Sequence, residues 1–201
     1  MRYEEALDQF ANALEVRDIT ELTRARAHQG VGACCRHLDR WTEAISHLEQ
    51  ACALFAVQKQ HYRYILTLHN IGVLWLDKLQ FEKAQELFEE VQSFYLNHKM
   101  YLNHAELCEE FARIAFYKRN YTLCNEWCNR GIDLLNGQNG PLAGRLFIWK
   151  SWCSHVTQYT DTATDAWRVA KCLLGSQLKK TIETFDPNMT EETKEMFYKQ
   201  I

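Results

Sequence analysis

The chain has 201 residues and a net charge of −3, from 23 lysines and arginines against 26 aspartates and glutamates. This balance excludes the strongly basic surface of a nucleic-acid-binding domain. No apolar run approaches the roughly 18 residues of a membrane span, and no basic-then-apolar leader is present, so no membrane partner is expected. With only two prolines, eight glycines and no alternating apolar and polar runs, the chain is predicted to be all helical.

The first predicted element is a helix near the start of the chain. Tyr3, Ala6, Phe10 and Ala13 have the spacing that later recurs in the second helix of a helical hairpin, yet no first helix precedes them. Residues 1–18 therefore form a half repeat, and we expect the chain to be part of a longer protein. The uncovered apolar edge predicts self-association, for example as a homodimer, or cover by a preceding segment.

Three copies of a forty-residue pattern follow, over residues 19–58, 59–98 and 99–138. Ala44, Ala84 and Cys124 lie forty residues apart at the same point of the pattern. The same register aligns these further sets: Gly32, Gly72 and Ala112; Trp41, Phe81 and Tyr121; Leu48, Phe88 and Cys128. Such a period predicts stacked supersecondary units, in which small residues let two antiparallel helices approach closely.

The copy over residues 59–98 carries the residues by which the unit can be recognised. Leu68-x2-Ile71-Gly72-x2-Trp75 is followed by Phe81-x2-Ala84-x3-Phe88. This resembles the tetratricopeptide repeat, in which W-x2-L-G-x2-Y precedes A-x3-F. The resemblance covers about residues 3–172. It implies an all-α fold, a right-handed α-α solenoid of about ten helices, with protein or peptide binding on its surface.

A degraded copy and a terminal segment are predicted after residue 138. Ala163-x3-Trp167-x2-Ala170 repeats the second-helix spacing and predicts a fifth repeat over residues 139–175. Asp186-Pro187 breaks the chain, and Asn188 with Glu191 has the spacing of a capping box that opens a last helix to Ile201. Residues 176–201 are therefore predicted to cap a single solenoid over residues 1–201.

The length of the repeat suggests a narrower family. Repeats of forty residues without a closing proline, together with Asn70-Ile71-Gly72, are similar to the sensor domains of Gram-positive peptide-sensing transcription regulators. This resemblance implies an output domain before Met1, so that any DNA contact would lie outside this chain. The alternative is a constitutive protein-protein scaffold that switches nothing. The residues leave both interpretations open.

The tetratricopeptide resemblance implies that the first helices line a concave, ligand-binding face. On the repeat register this face carries Arg26, Gln29, Arg36, His69, Asn70, Val73, Glu109, Arg113, Phe116, Tyr117 and Trp149. We expect Asn70 to hold the backbone of an extended peptide, since amides both donate and accept hydrogen bonds. Arg36 or Arg113 would pair with an acidic group, and Phe116 with its neighbour Tyr117 would receive an apolar side chain.

The eight cysteines are interpreted as packing residues. Cys35, Cys108, Cys124 and Cys128 fall at core positions of the pattern, where a reduced thiol behaves as a small hydrophobe, and a reducing cytoplasm is the expected setting. A zinc site of His104, Cys108, Cys124 and Cys128 is the alternative, because residues four apart share a helix face. No phosphate loop, G-x-S-x-G elbow or H-E-x-x-H motif occurs, so neither catalysis nor a cofactor is predicted, a catalytic helical domain being a remote alternative.

Overall fold

A computed structural model describes residues 2–199, and within that range the chain contains eleven α-helices and no strand. The helices are α1 (Arg2–Glu15), α2 (Glu21–His37), α3 (Trp41–Val57), α4 (His61–Asp77), α5 (Phe81–Asn97), α6 (Tyr101–Tyr117), α7 (Tyr121–Leu135), α8 (Pro141–Val156), α9 (Thr160–Leu174), α10 (Leu178–Thr184) and α11 (Glu191–Tyr198). A 3-10 turn, Gly175–Gln177, separates α9 from α10. The predicted all-α fold of consecutive helical hairpins is confirmed.

The forty-residue period of the sequence is the period of the helices. The first helices of successive hairpins, α2, α4, α6 and α8, begin at residues 21, 61, 101 and 141. Their partners α3, α5 and α7 begin at the aligned aromatic residues Trp41, Phe81 and Tyr121. None of the helices in the described part of the chain is long and apolar enough to cross a membrane.

Six of the connections are the same three-residue turn. Its middle residue is left-handed, with φ between 54° and 65°, at Asp39, Lys59, Leu79, Lys99, Arg119 and Gln158. The amide that follows donates to the carbonyl five residues back, as from Arg40 to Cys35 and from Gln80 to Trp75, both 2.9 Å. This is the Schellman arrangement that usually carries glycine. Because none of these six positions is a glycine, the sequence does not predict the left-handed turns.

Packing divides the chain into two compact units, unit 1 over residues 1–94 and unit 2 over residues 95–201. In unit 1 the helices of a hairpin approach closely at glycine. A Cβ atom on Gly32 would lie 2.6 Å from Leu48 Cγ and 3.1 Å from the Ala44 carbonyl, which confirms the predicted approach of Gly32 and Ala44. At Gly72 a Cβ would overlap the ring of Phe88. Each contact therefore requires a residue without a side chain.

Helix α1 packs on α2. A Cβ on Gly30 would lie 2.7 Å from the ring of Phe10, and Tyr3 stacks on His37 with ring centroids 4.2 Å apart. Tyr3 and Phe10 nevertheless stay 47% and 38% exposed. The described part of α1 is thus held by ring contacts that leave part of its apolar side in solvent.

Unit 2 has a large aromatic core. Trp149 and Trp152 stack with centroids 5.3 Å apart, and Phe116 lies 4.3 Å from Trp152. The same core contains Cys124 and Cys128, which are fully buried where unit 1 carries alanine and larger apolar residues. In the hairpin of α6 and α7 the small residues of the contact are thus cysteines.

The C-terminal segment also joins this core. Leu178 and Ile182 from α10 and Met189 from the following loop are buried in it. The prediction that Asn188 caps the last helix is wrong, because α11 begins at Glu191 and the Thr190 hydroxyl accepts the Thr193 amide at 3.3 Å. The predicted helix end at Ile201 lies outside the described residues.

Candidate functional site

The first-helix surface of unit 1 is defined by predicted contact residues on α2 and α4. Two of them link the helices. Gln29 Nε2 donates to Thr67 Oγ1 at 3.0 Å, and Arg36 Nε donates to Asp77 Oδ2 at 3.0 Å. The Asp77 side chain is only 15% exposed, so this ion pair is better shielded from solvent than an ordinary surface pair. Gln29 and Arg36 therefore already have partners within unit 1.

Two other predicted contacts of unit 1 are buried. Val73 is 6% exposed and His69 is 9% exposed, with the His69 ring edge-on to Phe88 at 5.7 Å between centroids. Burial lowers the pKa of His69 to about 4, and the charge of Arg36 adds to this effect. His69 is accordingly a neutral ring in the packed layer at neutral pH.

Asn70 and Arg26 are the accessible polar groups of this surface. Asn70 is half-buried and Arg26 is exposed, and neither side chain makes a hydrogen bond or ion pair within residues 2–199. A half-buried amide can donate two and accept two hydrogen bonds. Asn70 therefore presents unused hydrogen-bonding capacity beside side chains that are already paired.

The first-helix surface of unit 2, on α6 and α8, is charged and internally paired. Arg145 donates from Nε and Nη2 to the carboxylate of the buried Glu109 at 2.8 to 2.9 Å, a two-pronged ion pair. Burial raises the pKa of the neighbouring Glu106, the Arg145 charge opposes this shift, and the Glu109 charge adds to it. Glu109 is thus committed to a contact between α6 and α8.

Farther along α6, a second ion pair reaches the C-terminal segment. Arg113 Nε donates to Asp186 Oδ2 at 2.7 Å, and its Nη2 lies 3.4 Å from Oδ1. The Tyr117 hydroxyl donates to the same Oδ1 at 3.0 Å. Arg113 is 5% exposed and Asp186 is 2% exposed. Two predicted contact residues thus hold a carboxylate of their own chain.

The aromatic residues predicted for the same surface lie next to this ion pair. Phe116 and Trp149 pack with centroids 5.3 Å apart, and the ring of Phe185 lies 4.8 Å from Trp149. Phe116 and Trp149 are 9% and 1% exposed. The structure therefore brings Arg113, Phe116, Tyr117 and Trp149 together beneath residues 185 and 186.

The sequence does not predict the partners of Arg113 and Glu109. Asp186 lies 73 positions after Arg113, and Arg145 lies 36 positions after Glu109. Neither separation follows from the periodicity of a single helix. Only the forty-residue register could have placed α6 beside α8, and nothing in the pattern indicates where residues after the last repeat fold.

The cysteines are free thiols, and seven of the eight are buried. Cys153 Sγ lies 2.9 Å from Cys124 Sγ, so the nearest group to Cys124 on α8 is a thiol that the zinc hypothesis did not include. Among residues 2–199 no group of three or more His, Cys, Asp or Glu side chains is placed to hold a metal ion, which gives no support to the zinc alternative of His104, Cys108, Cys124 and Cys128.

The buried thiols are also poor nucleophiles. Burial raises the pKa of Cys108 to about 12. Hydrogen bonds to Cys128 and Cys153, and then burial, raise the pKa of Cys124 strongly. Since the thiolate is the reactive form, these cysteines act as packing groups at neutral pH. The repeat pattern predicts the same packing role.

Two clefts of unit 2 lie away from the predicted contacts. One of about 550 Å³ is lined by Trp152, His155, Val156, Glu192, Thr193, Glu195 and Lys199. The other, of about 250 Å³, is mainly apolar and is lined by residues of α7, α8 and α9 with the link 137–139. Neither contains any of the predicted contact residues, so neither supports the site proposed from the sequence.

Comparison with known families agrees with the helical hairpins described above. Residues 23–97 match the model of the tetratricopeptide repeat family, which confirms the resemblance found in the copy over residues 59–98. The recognisable tetratricopeptide repeats of the chain thus lie in α2 to α5. No curated protein sequence matches it significantly.

Solved structures extend the likeness over most of the chain. A protein of Podosopora anserina, described as kinesin light chain nearly identical TPR-like repeats, is 13% identical with a TM-score of 0.62, covering 87% of this chain and 88% of that one. BtubC (BKLC) from P. vanneervenii is 15% identical with a TM-score of 0.66, covering 94% of this chain and 75% of that one. At these identities the likeness shows the fold.

Proposed function

We propose that this protein is an interaction module whose unit 1 binds an extended segment of a partner protein on its first-helix surface. The observation that carries the proposal is Asn70, a half-buried amide without a hydrogen bond in the described chain. An amide in this position can pair with a peptide backbone, donating to a carbonyl and accepting from an N–H. The tetratricopeptide repeats of residues 23–97 contain this surface.

The neighbouring side chains favour a peptide as the ligand. Arg26 is an exposed cation that could meet an acidic side chain, and Gln29 and Arg36 are held in place by Thr67 and Asp77. Metabolite sites are usually enclosed and mainly apolar, with a few polar groups. An accessible helix surface with fixed polar groups better suits a chain that contacts several of them in turn.

A display library of random short peptides, selected on the 201-residue chain, tests this function. Removing a buried amide that pairs with a backbone costs about 1–3 kcal/mol, so Asn70→Ala should weaken selected peptides roughly five- to a hundred-fold. Asn12→Ala removes an amide from the exposed side of α1 and should leave the affinity unchanged. Equal affinity of Asn70→Ala and wild type, with both proteins folded by circular dichroism, would contradict the proposed site.

The narrower role of a peptide sensor in a transcription regulator is supported only by repeat length and by Asn70-Ile71-Gly72. A cytoplasmic location is supported by the eight free cysteines. A sensor must distinguish two states, whereas a scaffold need not. Hydrogen exchange with and without a selected peptide would separate them, since a sensor should change protection well beyond the contact residues.

A further inference from the structure

We propose that the first-helix surface of unit 2 is a binding site for a short helical segment ending in an aromatic and then an acidic residue, and that residues 178–189 are its intramolecular ligand. Three side chains of that segment define the pattern: Ile182, Phe185 and Asp186. The ligand is therefore described as apolar-x-x-aromatic-acidic. This site uses none of the residues proposed to bind a partner in unit 1.

The segment sits on unit 2 in the manner of a bound amphipathic helix. Leu178 and Ile182 face the core and are buried, while Lys179, Lys180, Glu183 and Thr184 are exposed. Helix α10 has seven residues, which is too short to be stable alone in water. Its order therefore depends on the surface beneath it, as in peptide helices that dock into grooves.

The Asp186 carboxylate gives the contact its specificity. Its oxygens accept hydrogen bonds from Arg113 and Tyr117 of α6 and from the backbone amide of Asn188, the last at 2.8 Å. Replacing a buried ion pair by apolar groups of the same volume is often neutral or stabilising, whereas removing one partner leaves the other charge buried and unpaired. A ligand without the acidic group would leave Arg113 in that state and is therefore disfavoured. The surface thus aims two donor side chains, Arg113 and Tyr117, at one carboxylate, and such an arrangement is suited to recognition.

The residues of the surface beneath the segment contact mainly one another. Phe116, Trp149 and Trp152 pack on one another at 4.3 to 5.3 Å between centroids. Arg113 Nη1 also lies 3.7 Å from Glu110 on its own helix, so the guanidinium keeps a carboxylate neighbour if Asp186 leaves. The aromatic floor and the arginine are therefore expected to persist when the segment is displaced by a partner with the same pattern.

A labelled peptide of residues 178–190 tests the proposal on the 201-residue chain by fluorescence anisotropy. In wild type the covalent segment competes at a high effective concentration, so the probe should bind weakly. Asp186→Asn removes the charge from the covalent segment, and this variant should bind the probe at least about tenfold more tightly than wild type. Asp165→Asn, in an exposed ion pair with Arg168, is the matched control and should bind like wild type.

Two further measurements keep the outcome decisive. A probe with asparagine in place of the aspartate should bind the Asp186→Asn protein about tenfold more weakly than the original probe does. When Arg113→Gln is added to that protein, the two probes should bind equally. Equal binding of the original probe by wild type and Asp186→Asn overturns the proposal. If Asp186→Asn does not fold, hydrogen exchange of wild type decides: faster exchange of residues 185–189 at saturating probe supports the site, and unchanged exchange refutes it.

Discussion

The two units use the same helical hairpin and differ in what their first-helix surfaces hold. In unit 1 the amide of Asn70 makes no hydrogen bond within the described residues, and Arg26 is exposed. In unit 2 the guanidinium of Arg113 and the ring of Trp149 are in contact with Asp186 and Phe185 of the same chain. The repeat pattern therefore predicts which residues form a first-helix surface but not which group binds to it.

The core residues of the two units differ in a related way. Unit 1 keeps glycine at Gly32 and Gly72, where a Cβ would clash with the facing helix. Unit 2 has alanine at the aligned Ala112 and builds its core around Phe116, Trp149 and Trp152. Close contact at glycine also occurs in unit 2, where a Cβ on Gly144 would lie 2.5 Å from Leu174 Cγ. Both units thus use glycine contacts, and unit 2 adds a cluster of packed aromatic rings.

The largest expected effect is in unit 2. Trp149 is 1% exposed, and replacing a buried tryptophan by alanine typically costs about 3–5 kcal/mol. Trp149→Ala should lower the protection from hydrogen exchange of residues 95–199 far more than that of residues 2–94. Tyr159→Ala, at a site 69% exposed, should change the free energy of unfolding by less than about 0.5 kcal/mol. An equal loss of protection in residues 2–94 and in residues 95–199 would contradict the division into two units.

Acid should destabilise unit 1 more than unit 2. Burial lowers the pKa of His69 from 6.5 to about 4, and burial also lowers the pKa of His28, His37 and His47 in the same unit. Among the described histidines of unit 2, burial lowers the pKa of His104. Between pH 6.5 and 4 the unfolded chain binds more protons at His69, so stability is complete above this window and falls as pH decreases.

For His69 the loss should be on the order of 3 kcal/mol by the lower end of the window. Urea unfolding followed by circular dichroism at several pH values measures it. His69→Leu, which cannot be protonated, should show a weaker pH dependence, whereas His61→Leu at an exposed position should behave like wild type. The same pH dependence in His69→Leu and wild type would assign the acid effect to other groups.

A smaller effect tests the close helix contact of unit 1. Gly72→Leu forces atoms into the ring of Phe88, and overpacking of this kind typically costs about 1–3 kcal/mol. Gly140→Ala is the matched control, because Gly140 has extended backbone and no heavy atom within 4 Å of an added Cβ. Thermal unfolding compares the two. Wild-type stability in Gly72→Leu would show that unit 1 does not rely on this contact.

The repeat pattern predicted the helices well because each hairpin is determined by short-range periodicity. The small and aromatic positions, such as Gly32 with Ala44, follow from the need of two neighbouring helices to touch. The group that binds to a surface does not follow from short-range periodicity, since Asp186 and Arg113 lie 73 positions apart and meet only through tertiary folding. The capping residue was missed for a local reason: Thr190 and Asn188 are both good caps, and only the backbone decides between them.

The left-handed turns restrict how the length of this chain can change. An added residue would either open a three-residue turn, losing the hydrogen bond from Arg40 to Cys35 or its equivalent, or move into the next helix. In a helix it would rotate the apolar face by about 100°. Insertions and deletions should therefore be tolerated as whole hairpins. The link 136–140 differs, with Asn136 and Gly137 both at positive φ, and single-residue insertions should be accepted there first.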